Sequence, residues 1–310
     1  MEPTAPTERT SSHAARRLDE LLAPLRLPAV AAPMTGVSTP ALVAAACAAG
    51  VIGSFPTSNA PSEAALDEWF DQIEADAAAA AKPAGRTPGP VAANLIVGRQ
   101  NRRLDADVEC VCRRRVPLVI TSVGSPAPVV EPLHAAGCLV FADVASIAHA
   151  RKALAAGADG LILLSAGAGG HTGWANPLAF VRGVRSFFDG PLGLAGGMAD
   201  GVALWSAVCA GYDFGLFGTR FIATAESGAS PRWRQALADA TMDDITVAPA
   251  PNGVPASMLP EGAGSGGHTV NAVHGDVAVA ALVDELAAGW SAARARTARS
   301  LAGGSGAPPV

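Results

Sequence analysis

The sequence contains little charge and few aromatic side chains. Of its 310 residues, 16% are charged and 5% are aromatic, whereas 50% are hydrophobic. A chain this apolar is not intrinsically disordered, and it is long enough to bury one large core or two modest ones. The formal net charge is −5, and neither sign forms a long run. Because nucleic-acid and membrane-surface binding normally use a basic stripe, the sequence argues against both kinds of partner.

Metal-binding spacing and long hydrophobic runs are also missing. The five cysteines form an odd set, and Cys110 and Cys112 would lie on different faces of a helix, so we expect reduced thiols and no bound metal. The longest apolar stretch, Ala41–Ile52, is interrupted by Gly50 and is too short to span a bilayer. Met1–Ser12 is polar and lacks the apolar segment of a secretory signal. We therefore expect a soluble, cytoplasmic protein.

Glycine and proline are abundant, with 34 and 24 residues, and they lie between short apolar runs. Eight of these runs alternate with helical stretches from residue 28 onward. The runs are nearly continuous rather than alternating, which is typical of strands buried on both faces of a parallel sheet. They begin near Ala29, Val51, Val91, Pro117, Cys138, Gly160, Pro191 and Asp213.

The stretches between the runs carry helix start and stop signals. A capping residue precedes proline at Thr39-Pro40, Asn176-Pro177 and Ser230-Pro231, and a glycine closes other stretches, as at Gly50 and Gly211. Eight βα units between residues 28 and 240 favour a (β/α)₈ TIM barrel. A doubly wound sheet would carry a glycine fingerprint after its first strand, and the sequence lacks one there.

The chain divides into four parts by this pattern. Residues 1–27 form an N-terminal extension, and residues 28–240 form the barrel. Residues 241–302 form a substrate-cap region, in which a loop-rich excursion crosses the barrel mouth and a last helix returns to the body. We expect the tail, residues 303–310, to be disordered.

The loop after the sixth strand places small residues before a histidine. Ser165–Gly173 contains glycine and alanine up to His171, so the backbone can approach a planar ligand closely. Residues at the C-terminal ends of barrel strands face the usual active-site region. Because imidazole can accept a proton near neutral pH, His171 is a candidate general base. The alternative is an ordinary loop histidine that caps a helix.

The loops after the seventh and eighth strands are rich in backbone donors. Leu194–Asp200 contains two consecutive glycines before a helix, and Leu216–Phe221 adds further N–H groups and a hydroxyl. Together on adjacent strands, such loops predict a phosphate-binding site. Arg220 could contact the phosphate or form a salt bridge at the barrel rim.

Two further candidates lie at the first and third strands. The turn Ala31–Gly36, which includes Met34, is apolar and could pack against an aromatic ring system. Asn94 places an amide inside an apolar run. A buried amide needs hydrogen-bond partners, and these are either backbone groups or the polar edge of a ligand.

Four segments of the sequence resemble the nitronate monooxygenases, formerly called 2-nitropropane dioxygenases. In chain order they are APMTGVSTPALVAAACAAGVIGSF, SAGAGGHTGWANPLAF, LAGGMADG and GLFGTRFIATAES. The resemblance implies an FMN-dependent barrel enzyme that oxidises alkyl nitronates with O₂ to a carbonyl compound and nitrite. It implies a small-molecule substrate and O₂ as partners, without a nicotinamide reductant. The sequence does not decide whether the chain forms a homo-oligomer.

The resemblance also implies residue roles. His171 would be the active-site base that acts on neutral nitroalkanes or orients the nitronate. The cofactor would be bound by nine residues of five loops and strand ends. In the list below, the first three would lie at the flavin ring, and all of the others except Leu216 would hold its phosphate. These residues are Met34, Asn94, Gly169, Gly196, Gly197, Leu216, Phe217, Gly218 and Thr219.

The sequence departs from the family in two places. Leu164 stands where one branch has glutamine, and the segment after Pro255 is shorter than usual. His268 and His274 in that region could enter the substrate pocket or be solvated. Two other functions remain open: a flavin-dependent NAD(P)H reductase on the same barrel, such as an enoyl-carrier-protein reductase, and a flavin-binding barrel without catalysis.

Overall fold

Eight parallel strands close into a barrel. The structure is a computed structural model that describes residues 8–250 and 253–302. The barrel strands are β1 (Ala29–Ala31), β2 (Ile52–Pro56), β3 (Val91–Ile96), β4 (Leu118–Ser122), β5 (Leu139–Val144), β6 (Gly160–Leu164), β8 (Leu192–Ala195) and β9 (Phe214–Phe217). A short strand, β7 (Gly170–His171), follows β6 and lies outside the barrel. The order is β1-β2-β3-β4-β5-β6-β8-β9, and β9 pairs with β1. The predicted (β/α)₈ TIM barrel is confirmed.

Helices separate most of the strands. They are α1 (Glu8–Leu22), α2 (Pro40–Ala49), α3 (Glu63–Ala81), α4 (Leu104–Arg114), α5 (Ala127–Ala135), α6 (Ile147–Ala155), α7 (Pro177–Arg185), α8 (Gly201–Ala210), α9 (Thr219–Ile222), α10 (Pro231–Asp239) and α11 (Val279–Ala302). The predicted starts of α2, α7 and α10 are confirmed, because Thr39, Asn176 and Ser230 each accept a backbone N–H of the first turn and proline follows.

Residues of each barrel strand alternate between the barrel interior and the helices. In β5, Leu139 and Phe141 join the cluster that fills the barrel, whereas Val140 and Ala142 pack outward. Both faces are therefore apolar, which explains why the sequence of each strand reads as a continuous hydrophobic run.

Helix α1 covers the N-terminal end of the barrel. Its Ala14 and Leu18 are 1% and 2% exposed and pack into the interior cluster with Phe141. Arg17 donates a hydrogen bond to the backbone carbonyl of Gly137, which lies just before β5. The segment predicted as an extension thus contains a helix that fills this end, and the cavity of the barrel opens at the opposite end. The predicted disordered tail, 303–310, lies outside the described residues.

The C-terminal excursion is more regular than its sequence suggests. Two strands, β10 (Thr246–Pro249) and β11 (Pro255–Met258), form an antiparallel sheet with β7, in the order β10-β11-β7. The pairing of Ala256 with His171 joins the excursion to the loop after β6. Helix α11 then packs against α8 and α2, which confirms the predicted final helix.

The described residues contain neither a membrane-spanning helix nor a cluster of metal-ligating side chains. Over the described ranges, every helix is too short or too polar to cross a bilayer. Nor do the described His, Cys, Asp and Glu side chains gather in groups of three or more that could hold a metal ion.

Candidate active site

A cavity of about 320 Å³ opens at the C-terminal ends of the barrel strands. Its size lies within the range of small-molecule sites. The predicted base and eight of the nine predicted cofactor-binding residues line it. These are His171, Met34, Asn94, Gly169, Gly196, Gly197, Leu216, Gly218 and Thr219. The fold therefore brings together residues from loops that are far apart in the sequence.

The floor of the cavity consists of the last inward-facing residues of the strands. The floor includes Asn94 from β3, Ser122 from β4, Asp143 from β5, Leu164 from β6 and Leu216 from β9. Each lies two residues after a side chain that points into the barrel interior, and alternate residues of a strand point to the same side. The polar residues of this floor are therefore fixed by strands rather than by mobile loops.

Phe217 is the predicted residue that the structure does not bring to the cavity. It follows Leu216 in β9 and so faces the opposite side, where its side chain is fully buried in the layer between barrel and helices. Its carbonyl accepts the N–H of Ala32 at 3.0 Å. Phe217 thus supports the strand that carries Leu216 and does not line the cavity.

Two neighbouring loops that line the cavity carry backbone N–H groups without protein acceptors among the described residues. Within the part of the chain that the structure describes, the N–H groups of Gly196, Gly197, Gly218 and Thr219 donate to no protein acceptor. Adjacent backbone donors of this kind can bind an anion. We call these four residues the N–H cradle.

Glycine is required at two positions of the cradle by backbone conformation. Gly196 has φ +121°, and a Cβ there would lie 2.5 Å from the Ser165 hydroxyl oxygen. Gly197 has φ +73°, and a Cβ there would have no neighbour within 4 Å. The first glycine permits close packing on the loop after β6, and the second leaves its surroundings open for a ligand.

Thr219 connects the cradle to the C-terminal excursion. Its hydroxyl oxygen accepts the N–H of Gly267 at 3.0 Å, and the residue is buried. Because a hydroxyl both accepts and donates, its proton is still available to a ligand oxygen. Gly169 packs against the same contact, since a Cβ there would lie 2.8 Å from the Gly267 nitrogen.

Arg220 is held away from the cavity by an ion pair. Its side chain is 6% exposed and forms a salt bridge with Glu285 of α11 at 2.8 Å. Its second terminal nitrogen donates to the carbonyl of Ala199 at 2.7 Å. Of the two roles open from the sequence, the structure gives Arg220 the salt bridge at the barrel rim.

Asn94 uses its amide nitrogen within the protein. Nδ2 donates to the carbonyl of Ile120 at 2.9 Å and to the hydroxyl of Ser122 at 3.1 Å. Its carbonyl oxygen Oδ1 takes no hydrogen bond from the described residues, and Asn94 lines the cavity. The amide therefore has backbone partners and also offers an acceptor to a ligand.

His171 lies on the wall of the cavity in strand β7. The strand begins at Gly170, which has φ +64°, and His171 pairs with Ala256 of β11. His171 is half-buried and lines the cavity. The other two histidines of interest differ, since His268 and His274 are exposed and neither is among the cavity residues.

Sequence reasoning missed the carboxyl group of Asp143. Burial raises the pKa of this carboxyl from 3.8 to about 7. Its Oδ1 is buried and has no hydrogen-bond partner among the described residues. Asp143 lies two residues after the inward-facing Phe141, so strand alternation in the run CLVFAD could have placed it in the cavity.

The cavity contains few ionisable side chains. Asp143 and His171 are the titratable groups of its lining, and no lysine, arginine or glutamate is among the described residues that form it. An anion bound here would be held by neutral donors and, when protonated, by His171.

Fold and site together define an α/β-barrel that can bind a phosphorylated ligand at its C-terminal mouth. The sequence profile of the family described as "NMO: Nitronate monooxygenase" matches residues 18–263. The chain therefore belongs to the nitronate monooxygenase family, and the predicted family is confirmed.

The individual relatives include a dehydrogenase as well as nitronate monooxygenases. A hydroxy-methyl-oxo-octahydro-indene-carboxyl-CoA dehydrogenase of Mycobacterium tuberculosis is 30% identical over 158 residues, which cover 49% of this chain and 44% of that protein. The match thus spans less than half of that relative. A nitronate monooxygenase of Paraburkholderia phytofirmans is 28% identical over 248 residues, 68% of this chain and 67% of that protein.

Solved structures support the fold. A nitroalkane oxidase from Streptomyces ansochromogenes superimposes with a TM-score of 0.79 at 24% identity, covering 91% of this chain and 99% of that one. At this identity the likeness concerns the barrel and its appended elements.

Proposed function

We propose that this chain binds FMN and oxidises alkyl nitronates with O₂ to a carbonyl compound and nitrite. The observation that carries the proposal is the position of the N–H cradle on the same cavity as His171. Family membership supports it independently. A phosphate site beside a histidine suits a mononucleotide whose ring reaches the base.

The cradle fits the phosphate of FMN. A phosphate dianion accepts several hydrogen bonds, and the N–H groups of Gly196, Gly197 and Gly218 are free to donate them. The hydroxyl of Thr219 would add a further donor. Preorganised backbone donors can bind phosphate without a lysine or arginine, because each N–H carries a partial positive charge.

The floor fits a flat aromatic ring. Leu164 and Leu216 offer apolar surface, and Met34 borders the same space. Asn94 Oδ1 would accept a hydrogen bond from a ring N–H, since its Nδ2 is already committed to the protein. The small residues of the loop after β6, such as Gly169, leave room for the ring beside His171.

His171 would act on the substrate as a general base. Bound FMN would supply the two-electron oxidation and the reaction with O₂, which no side chain can perform. An imidazole nitrogen of His171 would remove the proton from the carbon that bears the nitro group of a neutral nitroalkane, which leaves the nitronate. With a preformed nitronate, His171 would instead orient the anion.

The excursion would exclude water from the reaction. Met258 of β11 and Trp233 of α10 line the outer part of the cavity and offer apolar surface to an alkyl chain. The hydrogen bond from Gly267 to Thr219 fixes this region to the cradle. Apolar side chains on this wall favour alkyl substrates over polar ones.

Anaerobic reduction of the bound flavin tests the proposal. The protein, purified with its flavin, is mixed without O₂ with the nitronate of nitroethane, and in parallel with NADH or NADPH. We expect rapid bleaching by the nitronate, slow bleaching by the nicotinamides, and nitrite release when O₂ is added. Rapid bleaching by a nicotinamide alone would indicate a reductase, and no bleaching by either would indicate a barrel without this chemistry.

A histidine substitution tests the role of the base. His171→Asn should retain FMN, and turnover of neutral nitroethane should fall by about 10²–10⁴-fold, the usual loss when a general base is removed. Turnover of the preformed nitronate should fall less. His274→Asn is the matched control, because His274 is exposed and lies outside the cavity. Equal activity of His171→Asn and the unmodified protein on nitroethane would contradict the role.

A further inference from the structure

One polar group of the cavity has no role in the proposed reaction. The carboxyl of Asp143 ends the inward-facing row of β5, and its Oδ1 is buried without a hydrogen-bond partner among the described residues. A buried polar atom without a partner is unfavourable, and such atoms are rare in folded proteins. A ligand in the cavity would supply the missing partner.

Burial determines the protonation state of this carboxyl. An isolated carboxylate in a low-dielectric site is strongly unfavourable, whereas the neutral acid is tolerated. Desolvation is the cause that raises the pKa of Asp143 to about 7. Near neutral pH a large fraction of the group is therefore protonated, and a protonated carboxyl carries an O–H donor.

Among the described residues, the surroundings of Asp143 contain no buried charge that would reverse this preference. The flanking strands β4 and β6 have no titratable residue, and His171 is the other titratable group of the cavity. Helices α5 and α6 pack against β5. Their titratable side chains are all exposed, and these are Glu131, His134, His149, Arg151 and Lys152.

We propose that protonated Asp143 donates a hydrogen bond to an anionic oxygen of the substrate and thereby selects small anions. The described residues of the cavity offer anions neutral donors and include no lysine or arginine, so a carboxyl that stays neutral adds a donor without adding a repelling charge. Once ionised, the same group repels the anion. The inference rests on the proposed function, since a nitronate carries its negative charge on two oxygens.

Binding of an unreactive anion tests the proposal. Propanoate has two equivalent anionic oxygens on a short alkyl chain, and calorimetry on the FMN-loaded protein measures its affinity without turnover. We expect the dissociation constant of the unmodified protein to rise about ten-fold or more between about pH 6 and about pH 8.5. Propylammonium, the cationic counterpart, should not bind at either pH.

Two substitutions separate Asp143 from His171. Asp143→Asn keeps a neutral donor, so it should bind propanoate at pH 6 as the unmodified protein does and lose most of the weakening at pH 8.5. Asp143→Leu removes the donor and should bind about ten-fold more weakly at pH 6. The control is Asp213→Asn. Burial also raises the pKa of Asp213, but this residue pairs with Arg185 outside the cavity and should not affect propanoate binding.

Three results would overturn the proposal. If propanoate binding by Asp143→Asn still weakens at high pH, the pH dependence arises from His171 and not from Asp143. Unchanged affinity in Asp143→Leu would exclude a donor role, and tight binding of propylammonium would show that the ionised carboxyl binds cations. Nitrite release from nitronates is measured separately. If nitrite is released but the Asp143 substitutions leave propanoate affinity unchanged, only this inference fails. If the substitutions change propanoate affinity as expected but no nitrite is released, the proposed function fails.

Discussion

Arg220 Nη2 lies 3.0 Å and 2.8 Å from the two carboxylate oxygens of Glu285, and Nη1 donates to the carbonyl of Ala199. One guanidinium thus connects the loop after β8, the start of α9 and helix α11. The first two of these segments carry the N–H cradle, and α11 packs beside them. The arginine that the sequence left open as a phosphate contact thus links the two halves of the cradle to α11.

Glu285→Gln should weaken this connection without affecting the cofactor. Because Glu285 is 57% exposed while Arg220 is 6% exposed, we expect the free energy of unfolding to fall by about 1 kcal/mol, the upper end for partly solvated pairs. The affinity for FMN should stay within about two-fold. Chemical denaturation and FMN titration measure the two quantities, and a much weaker affinity for FMN would place Arg220 in the phosphate site.

Thr219→Val should reduce the affinity for FMN. The variant keeps the shape of the side chain and removes the hydroxyl that would donate to phosphate, and a hydrogen bond to a charged group contributes about 1.5–3 kcal/mol. We expect the dissociation constant to rise about ten-fold or more. The measurement is flavin fluorescence during titration of the flavin-free protein.

Thr224→Val is the matched control for this prediction. Thr224 is also buried, and its hydroxyl donates to the carbonyl of Phe221 at 2.9 Å, but it does not line the cavity. Both variants should lose about 1 kcal/mol of stability for the lost hydrogen bond. Only Thr219→Val should weaken FMN binding, and equal affinities in the two variants would remove Thr219 from the phosphate site.

The ion pair between His134 and Asp159 should make stability depend on pH. His134 Nε2 lies 2.8 Å from Asp159 Oδ2, and this hydrogen bond raises the pKa of His134 above its usual 6.5. Because the pKa of His134 is higher in the folded than in the unfolded chain, the ion pair contributes its full stability at pH values below the unfolded-chain pKa. This contribution is lost as the pH rises through the folded-state pKa. Denaturation of the unmodified protein and His134→Gln should therefore differ more at pH 5.5 than at pH 9. Parallel pH profiles would contradict this.

The barrel could be predicted from the sequence because its signals are local. Each strand is a short run that is apolar on both faces, and residues such as Thr39 and Gly50 mark helix ends by their own conformational preferences. The glycines of the cradle, Gly196 and Gly197, could likewise be found in the sequence, since adjacent glycines at strand ends are a local feature.

Local sequence signals do not reveal which way a side chain points or which distant segments pair. Phe217 and Leu216 are neighbours in one motif, and strand alternation turns just one of them to the cavity. The pairing of Ala256 with His171 joins segments that are far apart in the chain. For Asp143, strand alternation indicates the side of the strand, but the burial that raises its pKa becomes visible once the barrel closes.

Comparing FMN with riboflavin most directly tests the central claim, that the N–H cradle of the barrel mouth holds the phosphate of the cofactor. The two flavins share the ring and differ in the phosphate. Titration of the flavin-free protein should give a dissociation constant for FMN that is about 100-fold or more below that for riboflavin, since several hydrogen bonds to a charged group are lost together. Equal affinities, or no binding of FMN, would contradict the account.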